Sequence, residues 1–327
     1  FGKSHGLFTP GWQPLWVIDV SSVTGSGTNF RVLKEAGVKT ADLLIAVTTQ
    51  DEINLLACMI ARKASGCHTI ARVRNPEYAS EVGFIRDELG LSMVINPELS
   101  TARAVSRLIR FPSAIRVSTF AKGRIELLEI HVPDNSRLNG MAVCEVSHLL
   151  RCNVLMCMVH RAGQTFIPKG DFILEKGDDI TVIIPPREQA YFFEQVGIPN
   201  DHISSAMLIG GGKISFFLAG MLLDAGIAVK IIETRLDRCE QLSELLPGAT
   251  IIYGDGTDRS LLDEEGLGTC EAFVALTGMD EENILLALHA KQHSNARVFT
   301  KINRVNFEEV IAGLPLGTVV RPKQTTA

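Results

Sequence analysis

The chain has no block of clustered basic residues. It contains 32 Lys and Arg residues against 37 Asp and Glu residues, which gives a formal net charge of −5 at pH 7. A protein that binds nucleic acid needs a basic surface to neutralise the phosphates. We therefore expect no nucleic-acid partner.

Long apolar runs, aromatic residues and paired cysteines are also scarce. The longest apolar stretch, residues 214–223, falls well short of the roughly 20 residues that a membrane span requires, so we expect no direct membrane insertion. The seven cysteines form no C-x-x-C pair, and neither a disulfide framework nor a zinc site is indicated. With two Trp, three Tyr and 46% hydrophobic residues, the composition is that of an ordinary α/β protein.

What the chain does contain is an internal repeat. The segment GSGTN at residues 25–29 recurs as GDGTD at 254–258, an offset of 254 − 25 = 229 residues. At that offset AVT at 46–48 meets ALT at 275–277, and DEIN at 51–54 meets DEEN at 280–283. We interpret the chain as a duplication of one α/β unit. We also expect it to be cut at both ends, since the first copy lacks its opening and the second stops partway.

The apolar runs predict the fold class. Strands of the first copy are expected at residues 20–24, 43–47, 69–73 and 93–95, with helices at 51–63 and 99–108. These runs lack clean alternation, which is typical of parallel strands buried on both faces. A stretch with turn-rich, strand-like segments follows, with strands at 126–131, 154–160 and 179–184 and a helix at 187–196.

We therefore predict an α/β protein with tandem Rossmann-like domains, each a doubly wound parallel sheet, separated by a small α+β domain. The expected boundaries are 1–115 for an incomplete first nucleotide-binding domain, 116–200 for the small domain and 201–327 for the second nucleotide-binding domain.

A dinucleotide fingerprint opens the second copy. The strand at 206–209 runs into Gly210, Gly211 and Gly212, and Ser215 supplies the small residue where the helix packs on the sheet. A helix beginning near Lys213 presents free N–H groups to phosphate. The next strand ends in Glu233, 233 − 210 = 23 residues from the first glycine, near the expected spacing for an acid that holds the ribose hydroxyls. Such an acid repels a ribose phosphate, which favours NAD or an adenine nucleotide over NADP.

Three further residues of the second copy follow strands at the carboxyl edge. Asp255 either reaches an adenine or ribose or merely caps the next helix. Thr277 follows the next strand, and Lys301 is either a phosphate partner or a solvated cation. The matching features of the first copy are Thr48, Thr49 and Arg72, but no glycine loop precedes them.

The sequence contains few residues whose pattern indicates catalysis. Hydride transfer needs a general acid or base beside the nicotinamide. The candidates His131, His148 and His160 sit in or near apolar stretches, and no Tyr-x-x-x-Lys pair occurs. The paired acids at 51–52 and 280–281 lie at helix starts, where the helix dipole explains them. We predict no catalytic residues and no enzyme activity.

Several motifs of the first copy resemble the KTN/RCK family of Trk-type potassium uptake regulatory proteins. They are EAG at 35–37, ADLLIAVT at 41–48, DEIN at 51–54 and IARVRNPEY at 70–78. The order of the domains also matches, with the middle one of the RCK C-terminal type. The resemblance covers nearly everything after Asp19.

The resemblance implies a cytoplasmic regulatory subunit, peripheral on the inner face of the membrane. It would bind NAD(H), with ATP or ADP as further ligands, form a homo-oligomeric ring, and gate a Trk-type potassium-translocating membrane subunit. The family's loop residues fall on Gly210, Gly211, Gly212, Lys213 and Ile214, the ribose acid on Glu233, and first-copy contacts on Thr48, Thr49 and Arg72. The alternatives are an NAD-dependent oxidoreductase and a regulatory module of another cation channel or exchanger.

Overall fold

The computed structural model describes residues 21–79, 81–110, 114–120, 125–197, 203–304 and 313–322. Within these residues the chain forms three sheets, two parallel and one antiparallel, in the predicted order along the chain. This is the α/β fold with Rossmann-like domains that the sequence predicts. The division of the chain at residues 115 and 200 stays a prediction.

The first copy contributes a small parallel sheet with its helices. Its elements are α1 Phe30–Glu35, β1 Leu43–Ala46, α2 Asp51–Ser65, β2 His68–Arg72, α3 Pro76–Ala79, α4 Val82–Glu88, β3 Met93–Ile95 and α5 Pro97–Arg110. The three strands pair in the order β1-β2-β3. Helix α2 begins with Asp51 and Glu52 and ends at Gly66, whose φ of 72° is the left-handed conformation that glycine adopts readily.

The small domain is built on an antiparallel sheet. Its elements are β4 Ala114–Phe120, β5 Ile125–His131, α6 Val143–Leu150, β6 Leu155–Arg161, β7 Gln164–Phe166, β8 Asp179–Ile183 and α7 Pro186–Val196. The strand order is β4-β5-β8-β6-β7. One face carries a fully buried core that includes Leu128, Ile130, Ile180 and Phe192. The sequence also predicts a linker at residues 197–200, of which residues 198–200 lie outside the described residues.

The second copy forms the largest sheet. Its elements are β9 Ser205–Ile209, α8 Lys213–Asp224, β10 Ala228–Glu233, α9 Leu236–Leu245, β11 Thr250–Tyr253, α10 Arg259–Glu264, β12 Ala272–Ala275, α11 Asp280–His293, β13 Arg297–Lys301 and β14 Thr318–Val320. All six strands are parallel, in the order β11-β10-β9-β12-β13-β14. The chain leaves β9 on one side to form β10 and returns on the other to form β12, so β9 and β12 flank the switch point where ligands bind in such sheets.

Both faces of this sheet are buried. Ala206, Leu208 and Val274 pack in one core, and Met207, Ile209 and Phe273 pack in another on the opposite face. Successive side chains of a strand point to opposite faces, so an apolar residue is required at every position. This explains the unbroken apolar runs of the sequence.

Helix α5 belongs to the first copy by sequence but packs on the second. Ala102, Val105 and Ile109 are fully buried in the same core as Leu218 and Leu222 of α8. The two copies are therefore joined by a shared apolar core as well as by the small domain.

One predicted strand is wrong. Residues 21–24 have no strand conformation, and residue 20 lies outside the described residues. In the second copy, the equivalent strand β11 obtains its backbone hydrogen bonds from β10. At the repeat offset, the counterpart of β10 would end at residue 4, which is also outside the described residues. No strand among the described residues pairs with residues 21–24, and an extended segment is a strand only where a neighbour shares its backbone hydrogen bonds.

Candidate functional site

A cleft of about 800 Å³ opens at the carboxyl edge of the second-copy sheet. We call it the carboxyl-edge cleft. It is lined by residues that follow β9, β10, β11, β12 and β13, and by the first turns of α11. Seven residues singled out from the sequence meet in it: Gly210, Gly211, Gly212, Glu233, Asp255, Thr277 and Lys301. They are separated by up to 301 − 210 = 91 residues in sequence, and the parallel sheet brings them to one edge.

The glycine loop, residues 210–212, follows β9 directly and leads into α8. Gly210 has a φ of 95°, and a Cβ there would lie 3.1 Å from the carbonyl oxygen of Leu276. At Gly211 a Cβ would lie 2.7 Å from Leu242 Cδ1. Both positions therefore require glycine for the turn to fit.

Gly212 differs from its two neighbours. A Cβ built there meets no atom within 4 Å, so protein packing does not demand glycine. This residue caps the N-terminus of α8, where unpaired backbone N–H groups and the helix dipole attract an anion. The open space beside a helix start is what close approach of a phosphate requires.

Glu233 is held against the glycine loop. Its Oε2 accepts a hydrogen bond of 2.7 Å from the N–H of Gly211, and its Oε1 accepts one of 2.9 Å from the N–H of Arg235. Arg238 donates from Nε to the carbonyl of Gly211 over 2.7 Å. Both backbone groups of Gly211 are thus tied to side chains, and the acid is fixed at the rim of the cleft.

Lys213 and Ile214 are placed differently from the other predicted loop residues. Ile214 is 7% exposed and packs in the core beneath α8, so only its backbone N–H is available to a ligand. Lys213 lines a neighbouring cleft of about 590 Å³, together with Arg235 and Arg238 of the second copy and Glu77 of the first. Neither residue is part of the described lining of the carboxyl-edge cleft, and their contact with a ligand stays a prediction.

The far side of the cleft is acidic and is also lined by the half-buried Lys301. Thr257 donates to Asp255 Oδ1 from its backbone N–H at 2.9 Å and from its hydroxyl at 2.8 Å, and these bonds lower the pKa of Asp255. Burial, followed by the charge of Asp255, raises the pKa of Glu282. Lys301 donates to the carbonyl of Leu276 over 3.3 Å, and burial lowers the pKa of its ammonium group.

A buried asparagine organises the loop after β12. Asn283 is fully buried; its Oδ1 accepts from Thr277 N–H at 2.9 Å, and its Nδ2 donates to the carbonyl of Lys301 at 3.0 Å. Asp280 accepts from the N–H groups of Asn303 and Arg304 at 2.9 Å and 2.8 Å. The two side chains together fix the loops after β12 and β13, which border the cleft.

The first copy repeats this arrangement of a buried asparagine that links the loops after two neighbouring strands, which we call the asparagine bracket. Asn54 accepts from Thr48 N–H at 2.7 Å and donates to the carbonyl of Arg72 at 2.9 Å. Asp51 accepts from the N–H groups of Arg74 and Asn75, each at 2.7 Å. The acids at these helix starts were predicted to complement the dipole only. The structure gives the first acid of each pair a second task, since it also holds the loop after the next strand.

The predicted first-copy contacts also lie together. The guanidinium of Arg72 donates from Nη2 to the carbonyls of Val47 and Thr48, each at 2.8 Å. Arg74 donates in the same way to the carbonyl of Thr49 at 2.8 Å. Here the arginines cap the sheet edge through backbone carbonyls. Their contact with a nucleotide stays a prediction.

Sequence reasoning missed several residues that line the cleft, among them Arg235, Met279, Glu282 and Leu285. The spacing of the fingerprint says nothing about them, because Arg235 lies beyond its last residue in the loop after β10, and the other three come from the loop after β12 and from α11. The repeat held one usable signal: Asp255 and Glu282 replace Ser26 and Ile53 at an offset of 229 residues. Differences between copies of a repeat point to positions where only one copy has a task.

The described part of the chain contains neither a cluster of metal ligands nor a membrane-spanning helix. No group of three or more His, Cys, Asp or Glu residues is arranged to hold a metal ion there. No helix among these residues is long and apolar enough to cross a membrane.

Comparison with known protein families gives two matches. The TrkA-N domain model matches residues 17–97 and again residues 206–322. The TrkA-C domain model matches residues 127–197 between them. The duplicated unit and the small domain that the structure shows are thus the units that these two families define.

Curated relatives match over most of their length. A Trk system potassium uptake protein TrkA homolog of Archaeoglobus fulgidus is 33% identical over 309 residues, covering 94% of this chain and 70% of the relative. The Trk system potassium uptake protein TrkA of Halomonas elongata is 31% identical, covering 94% of this chain and 68% of the relative.

Solved structures share the fold. The GsuK channel matches with a TM-score of 0.65 and 21% identity, and a structure of that channel bound to NAD matches with 0.64 and 21%. This chain spans 93% of its own length but about half, 53%, of each channel chain. The human SLO3 gating ring matches with a TM-score of 0.53 at 12% identity, covering 96% of this chain and 75% of that one.

Proposed function

The chain belongs to the TrkA family of Trk-system potassium uptake proteins, and from this premise we propose that it is a regulatory subunit that binds NAD(H) and gates a potassium-translocating membrane partner. The carboxyl-edge cleft of the second copy is the proposed sensor site. The proposal includes ATP and ADP as further ligands, a homo-oligomeric ring, and a cytoplasmic position against the inner face of the membrane.

The observation that carries the proposal is the arrangement of the glycine loop and Glu233 at one end of the cleft. Open space beside Gly212, the start of α8 and a fixed carboxylate lie together at the switch point of a doubly wound sheet. This combination fits a dinucleotide, because phosphate needs the close approach and ribose hydroxyls need the acceptor.

Each residue has a defined part in holding the ligand. The N–H groups that open α8 bind the pyrophosphate, and Glu233 accepts hydrogen bonds from ribose hydroxyls. Lys301 adds positive charge at the base of the cleft. Thr277 borders the cleft at the end of β12, in a loop that Asn283 holds in place. A bound nicotinamide would bring redox chemistry, but the proposed role uses only the binding.

Regulation requires no bond to be broken. A ligand shifts a conformational equilibrium by as much as its affinity differs between the two states. Helix α8 starts at the glycine loop and packs on α5, which leads towards β4 of the small domain. A ligand in the cleft can therefore act, through α8, on helix α5, which packs in the core that the two copies share.

The sensor proposal predicts binding without turnover. Purified protein is incubated with NADH and a panel of oxidised carbonyl substrates, and absorbance at the nicotinamide band is followed. We expect no change in absorbance, together with saturable binding of NADH in a separate fluorescence titration. Steady oxidation of NADH would contradict the proposal and favour an oxidoreductase.

The proposed membrane partner is tested by co-purification. The chain is coexpressed with a Trk-type potassium-translocating subunit, and detergent extracts are purified through a tag on the membrane subunit. We expect the chain to co-purify. Its absence from the purified membrane subunit, with NADH and without it, would contradict the proposed partnership.

A further inference from the structure

Two histidines lie one turn apart near the end of α11. The rings of His289 and His293 stack with their centroids 4.2 Å apart, and Nδ1 of His293 donates to the carbonyl of His289 over 3.0 Å. His289 is half-buried, and within the described residues its Nε2 is buried without a hydrogen-bond partner. A protonated imidazole has an N–H donor on each nitrogen. Protonation of His289 in this position therefore places a charged donor where it has no acceptor, which is unfavourable.

The surroundings of His289 also oppose its protonation. It lines a groove of about 340 Å³ between α10 and α11, which we call the α10–α11 groove. Burial lowers the pKa of His289, and the charges of His293 and of Arg259 on α10 lower it further. Asp263, also on α10, raises this pKa but has the smallest effect. Among the described residues, β12, β13 and the short helix Leu267–Thr269, which also pack against α11, supply none of the charges that act on His289.

The first copy has apolar residues at the equivalent positions. At the repeat offset of 229 residues, Ile60 and Ala64 correspond to the two histidines, and Phe30 corresponds to Arg259. The second copy thus has three groups that can carry positive charge where the first copy has none. It is also the copy that has the glycine loop.

The α10–α11 groove is continuous with the carboxyl-edge cleft. Thr257, Glu282 and Leu285 line both of them. Thr257 directly precedes Asp258, whose side chain caps the N-terminus of α10. A shift of α10 away from α11 therefore also moves a residue that lines the cleft.

We propose that His289 is a proton sensor of the carboxyl-edge cleft: in acid the protonated ring repels Arg259, separates α10 from α11, and weakens nucleotide binding. This inference rests on the proposed nucleotide site and adds a signal that regulates it. Burial, followed by the charges of His293 and Arg259, lowers the pKa of His289 in the packed groove. The packed groove is therefore fully favoured above the ordinary histidine pKa of about 6.5 and is increasingly disfavoured as the pH falls below it.

Binding of NAD+ on the two sides of this pKa tests the proposal. NAD+ is titrated into the full chain by isothermal calorimetry at about pH 7.5 and at about pH 5.5, one unit above and below the ordinary histidine value. We expect the affinity at the lower pH to be weaker by up to about tenfold, because one proton must be released for the groove to pack. Equal affinity at the two pH values would overturn the inference while leaving the proposed function intact. If NAD+ binds at neither pH, the proposed function itself fails.

Variants then assign the pH dependence to His289. His289→Gln cannot be protonated, and His289→Ile installs the first-copy residue, so that one variant serves if the other folds poorly. We expect both to bind NAD+ as the wild type does at the higher pH and to lose less than about twofold at the lower one. Arg259→Gln removes a positive charge beside the ring and should reduce the loss to about threefold or less.

The matched control is His148→Gln, which removes an exposed histidine from α6 of the small domain. It should show the same pH dependence as the wild type. A loss of affinity in acid that persists in both His289 variants, or that disappears in His148→Gln, would overturn the assignment.

Discussion

Glu233 is the residue on which the proposed ribose contact depends. Its carboxylate is held by the N–H groups of Gly211 and Arg235, at 2.7 Å and 2.9 Å, so it is positioned before a ligand arrives. Pre-positioned groups bind with less loss of conformational entropy. The same charge disfavours a phosphate on the ribose, which is why the site is expected to prefer NAD to NADP.

Replacing Glu233 by Ala removes a charged acceptor. We expect Glu233→Ala to weaken NAD+ binding by about 1.5–3 kcal/mol, measured by calorimetry. Glu240→Ala, an exposed acid on α9, is the control and should leave the affinity unchanged. If the two variants bind NAD+ equally well, Glu233 has no part in the site.

At the scale of single residues, the sequence predicts what depends on local spacing. Gly210, Gly212 and Glu233 could be found because strand, turn, helix and strand follow one another within 23 residues. Glu282 could not, because it lies in the first turn of α11, which only the fold brings to the cleft. The burial of the Ile214 side chain could not be predicted either, because a family motif does not say which face of a helix is buried.

Helix α5 is the element that joins the two copies. Ile109 is fully buried in the core formed by α8 and the second-copy sheet, although it precedes that sheet by almost 100 residues. Helix α5 was predicted at residues 99–108 from its local pattern, and the structure has it at Pro97–Arg110. Its packing partner was not predicted, because amphipathic spacing shows which face is apolar and not what covers that face.

Truncation of Ile109 should therefore loosen the second copy. We expect Ile109→Ala to cost about 2–5 kcal/mol of local stability, seen as faster hydrogen exchange of α8 amides than in the wild type. Exchange is resolved region by region, which suits a chain whose domains need not unfold together. Leu245→Ala, at a position that is 58% exposed on α9, is the control. Faster exchange confined to α2, with α8 unaffected, would contradict this packing role.

The strands of the first copy also show what a local sequence pattern cannot predict. Residues 43–47 and 69–73 were predicted as strands and form β1 and β2, each with a neighbour to pair with. Residues 21–24 were also predicted as part of a strand and form none. A strand is a property of a pair, and the sequence of one segment does not reveal whether its partner is in place.

At the scale of the whole molecule, the two copies of the repeat differ in the groups that they offer to a ligand. Both copies have the asparagine bracket, formed by Asn54 in the first and Asn283 in the second. Within the described residues, only the second copy has a glycine loop and a fixed ribose acid. The account therefore assigns nucleotide sensing to the second copy, and transmission to the helix and small domain that connect the two.

The most direct test of this assignment is a calorimetric titration of NADH into the chain and into Gly212→Val. Gly27→Val is the matched control, because a Cβ at either glycine meets no atom within 4 Å and neither variant should disturb packing. The account predicts a single site per chain, lost in Gly212→Val and retained in Gly27→Val. Two sites of similar affinity, or unaltered binding by Gly212→Val, would contradict it.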